Sequence, residues 1–354
     1  MSGADRTEPR GREWRDSALY EQIRTQPAEL RRLLREQTGV EEAASLLRKA
    51  RRVHTAGVGT SWNAAVAAAY MLRALGIDAT AWNSFDLALY TPRLDEGSCV
   101  VVFSHSGRKT FSRRLLEMLE GTEVPTVWIG SPEALPAPAT VHVPTVPKER
   151  SSTHTVSFTT ALYVAALAAE RIREGALGEL SELPEAVEAA LRSEPAVESL
   201  AAALAEQPLI LAVGGGPREV LAHEAAIKLV EAARVPTAGF GVEQFLHGPQ
   251  IMLQQGTPLL VFDGPGGAAE RTATAVRAAL DLGAAVTVIG AMPPVSEGAR
   301  WVETPRVSEL LAPIVDVVPL QLLAAALAGV RGVNPDVFRL DDPRFAAAYE
   351  KYSL

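Results

Sequence analysis

The sequence holds a single cysteine, Cys99, among 354 residues, which excludes an intrachain disulfide and any cysteine-based metal cluster. Cys99 lies in the apolar run Cys99-Val-Val-Val-Phe103 and reads as a small buried core residue. Basic residues are not in excess: the net charge is −8 and the sequence pI is near 5.4. That balance argues against a broad nucleic-acid surface and leaves room only for a local cationic pocket that takes a small anion. Neither a secretory h-region nor 18 uncharged apolar residues in a row occurs, because Glu, Arg or Pro punctuates the Ala/Leu-rich stretches. The expectation is a cytoplasmic protein with no membrane partner. No His/Asp/Glu cluster has metal-site spacing, and the Gly57-Val-Gly59 turn lacks the glycine three positions on that completes a dinucleotide fingerprint. Neither a metal nor a cofactor is expected.

What is present is a large apolar fraction, 47%, enough for a sizeable core divided between two domains of ordinary size. In the first half, residues 52–57 read as a strand, Gly57 to Ser61 as a turn and 62–75 as an alanine-rich helix, followed by short buried strands at 98–103 and 126–129. The second half repeats that order: a strand at 209–213, a turn at 214–216, a helix to about Arg234, then strands at 259–262 and 285–289. Matching features keep nearly constant separations, with Gly59 to Gly216 at 157 residues, Phe103 to Phe262 at 159 and Ile129 to Ile289 at 160. This pattern predicts an internal duplication of the α/β class, each copy a small parallel sheet covered by helices on both faces. The expected division is a mobile, functionless polar arm over 1–15, a first unit over 16–190 and a second over 191–354. A linker is expected near 175–194, where charge and Pro184 interrupt the apolar pattern.

Proton-transfer groups concentrate on one predicted helix. Glu224, Lys228 and Glu231 stand at i, i+4 and i+7, a spacing that puts both carboxylates and the amine on one face. Such a pair is commonly a solvated ion pair worth only about 0.2–0.5 kcal/mol. Here, however, the helix opens on a glycine turn after a strand, where open α/β sheets build ligand sites. In the first half, Ser104-His105-Ser106-Gly107-Arg108-Lys109-Thr110 follows a strand and starts a helix. Its hydroxyls and cations suit a phosphate dianion, although Ser and Thr are also ordinary N-cap residues. A second hydroxyl-rich segment, Ser151-Ser152-Thr153-His154-Thr155, precedes another apolar helix. His105 and His154, inside these loops, are candidate ligand contacts; His54 and His142 read as structural.

Taken in order, these motifs resemble the sugar isomerase (SIS) family, in particular the isomerase portion of glucosamine-6-phosphate synthase and its stand-alone relatives. The resemblance runs from Glu21 to Pro343. It rests on Glu21-Gln-Ile-Arg-Thr-Gln26-Pro27, Gly59-Thr60-Ser61, Ser104-His105-Ser106-Gly107 and the segment from Glu149 to Thr160 around Ser152 and Thr153. It is completed by Glu224, Lys228, Glu231 and His247-Gly248-Pro249, then Pro319-Leu-Gln321-Leu-Leu323 with Asn334-Pro335-Asp336. The resemblance implies two SIS subdomains, each a three-layer αβα sandwich, with the active site between them and across a homodimer. It also implies that Glu231 moves a proton between C1 and C2 of an open-chain sugar, that Lys228 supports it, and that His247 from a neighbouring subunit assists ring opening. A base for the proton shift and a donor near the developing enediol oxygen are what an aldose–ketose interconversion requires.

The sequence also departs from that family. Met1 to Arg15 contains no cysteine, so no glutaminase module is expected and glutamine-dependent transfer by this chain alone is not. Gly107 is followed by Arg108 and Lys109 before Thr110, where the family has Gly-x-Thr, and Gln244 stands where the family has a glutamate, with Glu243 one position earlier. Alanine occupies the place of the synthase's Schiff-base lysine, with Lys351 three residues later. The expected function is a phosphosugar isomerase or deaminase acting on a hexose or hexosamine phosphate. The alternatives are a phosphosugar-binding regulator, which the absence of a basic helix-turn-helix before Glu21 disfavours, and a subunit of a glutamine-dependent aminotransferase.

Overall fold

A computed structural model describes residues 13–91 and 94–351. After α1 (Ala18–Glu36) and α2 (Val40–Lys49) come β1 (Arg52–Gly57), α3 (Thr60–Ala74), β2 (Asp78–Asn83), α4 (Ser84–Tyr90), β3 (Ser98–Phe103), α5 (Thr110–Leu119), β4 (Thr126–Gly130), β5 (Val141–Pro144) and α6 (Val156–Ile172). The helices α7 (Leu183–Ala190) and α8 (Glu194–Leu204) lead to β6 (Ile210–Gly214), α9 (Glu219–Ala233), β7 (Thr237–Gly241), α10 (Val242–Leu246), β8 (Pro258–Asp263), α11 (Ala269–Asp281), β9 (Ala285–Gly290) and β10 (Arg300–Glu303). The chain closes with α12 (Ala312–Val330) and α13 (Pro343–Tyr349).

The ten strands form two all-parallel five-stranded sheets, ordered β2-β1-β3-β4-β5 and β10-β9-β8-β6-β7. Read by position in each half, the two orders are the same, as a duplicated unit requires. Alternating strand residues explain why both faces are covered. Val101, Phe103, Ala212 and Phe262 point into one continuous core that joins the two halves, whereas Val100, Val102, Leu211 and Val261 point into separate outer cores. The turns are duplicated as well. A Cβ at Gly57 or Gly214 would lie 2.2 Å from a carbonyl of the following helix turn, and Gly59 and Gly216 adopt φ of 59° and 57°, so the tight strand-to-helix passage needs glycine at both places.

Among the described residues α12 alone is long and apolar enough to cross a membrane, but it is buried inside the protein against α1, α6, α7, α8 and α9. Two expectations from the sequence change on inspection. Residues 1–12 of the expected polar arm lie outside the described residues, yet the rest of it is docked. Trp14 packs on Gly329 of α12, and Arg15 Nε donates to Glu194 Oε1 at 2.7 Å. The expected linker is folded too, since Leu183 and Val187 of α7 are fully buried against the central core; polar residues interrupt the pattern there because only one face of α7 is covered.

A buried polar chain ties the ends of the protein to its middle. Gln26 of α1 donates to Gln321 of α12 at 2.8 Å, Gln321 donates to the Thr155 carbonyl at 3.2 Å, and Thr159 of α6 donates to Gln26. Asp336 accepts from the Ala18 and Leu19 amides at 3.0 and 2.9 Å, satisfying free N–H groups at the start of α1. Gln26 of the Glu21–Pro27 segment and Gln321 of Pro319–Leu323 are therefore structural partners, and Asp336 fastens the Asn334–Asp336 segment to the start of α1.

Candidate functional site

The C-terminal ends of β1 and β3 and the helices that follow them enclose a cavity of 340 Å³. Gly59, Thr60 and Ser61 from the first turn, and Ser104, His105, Ser106, Lys109 and Thr110 from the loop after β3, line it together with Glu231 of α9. The two halves meet here because α3 packs directly on α9, which carries the acidic face of the second half to the glycine turn of the first.

Beneath Glu231 lies a fully enclosed ion cluster. Lys228 Nζ is 3.2 Å from Glu224 Oε1 and 3.2 Å from Glu231 Oε2, and donates to Thr60 Oγ1 at 2.9 Å. Thr60 donates to Glu224 Oε1 at 3.1 Å and Asn63 Nδ2 to Glu224 Oε2 at 2.7 Å. Glu224 and Lys228 are sealed from solvent, whereas the Glu231 side chain is 25% exposed and opens into the cavity. Burial pushes the Glu231 carboxyl above its usual range; Lys228 opposes this and Glu224 adds to it. Burial works against the Lys228 ammonium, but its two carboxylates outweigh burial and hold its pKa above the ordinary value.

The loop after β3 is fixed by its backbone and leaves its side chains toward the cavity. Trp128 Nε1 donates to the Ser104 carbonyl at 2.9 Å, and the Ser131 amide donates to the His105 carbonyl at 2.9 Å. Ser104 Oγ and both ring nitrogens of His105 are buried and have no partner within the protein, an arrangement that costs stability unless a ligand completes it. Burial, with His154 adding a smaller effect, pulls the His105 pKa down to about 4, so the ring is neutral near pH 7. Lys109 shares the cavity, and its pKa is lowered by burial.

Helix ends add to this anion-favouring character. The N-caps of α3 and α5, Gly59 and Lys109, make no side-chain cap bond; the Ser61, Trp62 and Asn63 amides bond the Val58 and Gly59 carbonyls, so what these helix starts offer an anion is the positive end of the helix dipole. The start of α6 is already occupied. There the buried Glu149 carboxylate accepts from the Thr155 and Ser157 amides at 3.0 and 2.8 Å. Burial alone would raise Glu149, but the His154 ring and Ser157 outweigh it and hold the carboxyl at about 2. A depressed folded pKa contributes stability above the ordinary value of 4.5, which is lost as pH falls from there toward 2. We expect acid unfolding followed by circular dichroism to show that loss, and Glu149→Gln to flatten the stability profile in this window.

Not every expected residue reaches the cavity. Thr153 is buried and donates to the Pro335 carbonyl at 2.9 Å, and the Ser152 amide bonds the Asp336 carbonyl at 2.9 Å. That pairing turns both away, and the segment lines the cavity with His154 and Ser157 instead. Glu224 stands behind Glu231 rather than in the cavity. The His247 side chain is 66% exposed, its Nδ1 lies 2.9 Å from the Glu243 carbonyl, and it is not part of this chain's cavity. Lys351 is exposed after α13 and also lies off the cavity. His54 accepts from Trp82 Nε1 at 3.0 Å and His142 stacks on Trp128, both consistent with structural roles. Asn63 and Phe338 were missed. A polar residue in the alanine-rich α3 was a usable signal for Asn63; nothing in the sequence pointed to Phe338, which tertiary folding alone delivers.

At the matching position of the second half, side chains of the protein pair with one another beside a cavity of 500 Å³ lined by Pro265, Gly266, Arg306 and Glu309. Arg218 Nε donates to Asp316 Oδ2 at 2.9 Å, Thr304 donates to Asp316 Oδ1 at 2.6 Å, and the Gly267 amide donates to Glu309 Oε2 at 3.1 Å. The crevice after β3 thus presents unpartnered Ser104 and His105 side chains, whereas at the one after β8 the Asp316 and Glu309 carboxylates are already paired within the protein.

Residues 203–331 match the SIS domain family, and the first half repeats the strand order of that matched half. The chain is 29% identical over 313 residues to the glutamine–fructose-6-phosphate aminotransferase (isomerizing) of Pyrococcus horikoshii, covering 83% of this chain and 52% of that protein. The chain spans about half the length of the curated relatives it matches. Its fold is similar to the C-terminal domain of glucosamine-fructose-6-phosphate aminotransferase from Francisella tularensis, with a TM-score of 0.81, 19% identity and coverage of 90% and 97% of the two chains. It is similar also to glucosamine-6-phosphate deaminase from Thermotoga maritima, with a TM-score of 0.73, 22% identity and coverage of 91% and 97%.

Proposed function

We propose that the protein is an enzyme that shifts a proton between C1 and C2 of a phosphorylated hexose or hexosamine, as an isomerase or as a deaminase built on the same step. The observation that carries this reading is a single cavity lined by the Ser104–Thr110 loop on one side and the Glu231 carboxylate on the other. In it the phosphate is held by Ser104 and Ser106, aided by the positive dipole ends of α3 and α5. Glu231, its pKa raised by burial, takes the proton from one carbon and returns it to the next. Lys228 fixes the orientation of Glu231, and Lys109 supplies positive charge opposite the developing enediolate. Similarity to an isomerizing aminotransferase and, in fold, to a glucosamine-6-phosphate deaminase supports the substrate class. The Glu224–Lys228 pair, sealed behind a Glu231 that opens into the cavity, favours an enzyme over a regulator, since phosphate binding alone needs no proton-transfer set.

His247, exposed on a single chain, is assigned to ring opening in the cavity of a second copy, which makes the working form a cytoplasmic homodimer. The decisive experiment incubates the protein with fructose 6-phosphate or glucosamine 6-phosphate in deuterated water and follows exchange at C1 and C2 by NMR. Exchange with either sugar supports the reading; saturation by both without exchange leaves a binding protein and overturns it. Replacing Ser104 and Ser106 by Ala is expected to weaken phosphate-bearing sugars by about 1.5–3 kcal/mol per lost charged hydrogen bond, with no comparable loss for neutral sugars. Calorimetry that finds equal losses would remove phosphate from this loop.

A further inference from the structure

We propose that His154, held by the buried Glu149 carboxylate, carries the hydroxyl proton from one reacting oxygen of the sugar to the other while Glu231 carries the carbon proton. This rests on the reading of the cavity given above. Glu231 supplies one of the two proton transfers that an aldose–ketose interconversion requires, and the second runs between O1 and O2. His154 lines the cavity from the segment that precedes α6. Its ring stands edge-on to that of His105 in the serine loop, with centroids 5.4 Å apart, and it is close enough to Glu231 to favour the charged form of that carboxylate. The imidazole therefore reaches the stretch between the serine loop and the base, which the sugar itself has to fill.

The two ring nitrogens of His154 have different surroundings. Nδ1 lies 3.6 Å from Glu149 Oε1 and 3.4 Å from Ser157 Oγ, contacts of a kind that tighten once substrate is bound. Nε2 has no partner among the described residues and, unlike the His105 nitrogens, is not sealed; the side chain is 34% exposed. A carboxylate facing Nδ1 selects the tautomer with the proton there and leaves the Nε2 lone pair free to accept. Glu149 does not need the ring for its own hydrogen bonds, since the Thr155 amide and hydroxyl and the Ser157 amide already donate to it. Because Glu149 and Ser157 both face Nδ1, the ring does not activate Ser157 as a nucleophile, which would require that hydroxyl at Nε2. In the ketose-to-aldose direction Glu231 takes a proton from C1, the C–H electron pair becomes the C1=C2 bond and the carbonyl pair moves to O2. Nε2 takes the O1 hydroxyl proton, forming an imidazolium that Glu149 stabilises, and delivers it to O2. The O1 electron pair then closes C1=O, and the C1=C2 pair takes the proton back from Glu231 at C2. In a deaminase the C2 nitrogen stands in the place of O2.

His154→Asn separates this role from a structural one, because the shorter side chain keeps an amide near the place of Nδ1 and removes Nε2. With the sugar that the unmodified protein converts, fructose 6-phosphate or glucosamine 6-phosphate, deuterium exchange at the reacting carbons is followed by NMR alongside product formation. We expect product formation to fall at least about a hundredfold and carbon exchange by less than about tenfold, so that the ratio of exchange to conversion rises at least about tenfold. Phosphosugar affinity by calorimetry should change by less than about threefold, which also shows that the variant is folded. His154→Gln, which puts an amide near the place of Nε2 without its basicity, should raise the ratio equally, and Glu149→Gln should raise it to a smaller extent. A structural role would lower exchange and conversion together. An unmoved ratio in the variants that bind phosphosugar therefore overturns the relay and leaves Glu231 as the carbon base. If the unmodified protein exchanges with neither sugar, the proton-shift reading itself falls, and the relay with it.

Discussion

Replacing Glu231 by Gln should abolish the C1–C2 proton shift while leaving phosphosugar affinity within a few-fold. A positioned general base contributes about 10²–10⁴-fold, and glutamine keeps the size and much of the hydrogen bonding of the carboxylate without its basicity. The phosphate contacts, on the other side of the cavity, are untouched. Because burial raises the Glu231 pKa, the acidic limb of the unmodified enzyme's pH profile should lie above the ordinary carboxylate range and rise with pH as the base is freed. Isotope exchange in deuterated water and calorimetry on the same variant separate the two properties. Exchange at the unmodified rate would remove Glu231 from the role of base.

Lys228→Met is expected to cost the most stability, about 3–5 kcal/mol, because breaking a buried ion pair leaves a charge without compensation. The stranded group is Glu224, which has no exposure and would keep only Thr60 and Asn63 as donors. Adding Glu224→Gln to Lys228→Met removes that charge, so the double variant should recover part of the loss. Urea unfolding of the single and double variants measures the coupling, which adjacent buried residues should express strongly. An additive result would mean that Glu224 and Lys228 do not depend on each other. The single variant should also shift the acidic limb of the pH profile upward, since the cation that opposes the rise of the Glu231 pKa is gone.

Much of this was legible in the sequence because it is local. The strands of a parallel sheet buried on both faces are short continuous apolar runs, so 98–103 and 259–262 could be read directly. The glycine turns announced themselves because no other residue fits so close to the following helix. The spacing of Glu224, Lys228 and Glu231 is likewise a property of one helix. Ser152 and Thr153 show where local reading fails. A hydroxyl-rich loop before a helix looks like a ligand loop, but whether its side chains face a cavity or a distant carbonyl such as that of Pro335 depends on contacts far along the chain.

By itself the sequence determined the duplicated α/β plan, the serine loop and the acidic helix face, since each follows from a pattern only a few residues long. Tertiary structure alone decided that α3 and α9 pack together, which brings Glu231 to the serine loop, that Arg218 and the Gly267 amide pair with Asp316 and Glu309 in the second half, and that Phe338 and the arginines gather beside Glu231. The reason is that side-chain periodicity encodes which face of an element is buried, but not which other element buries it.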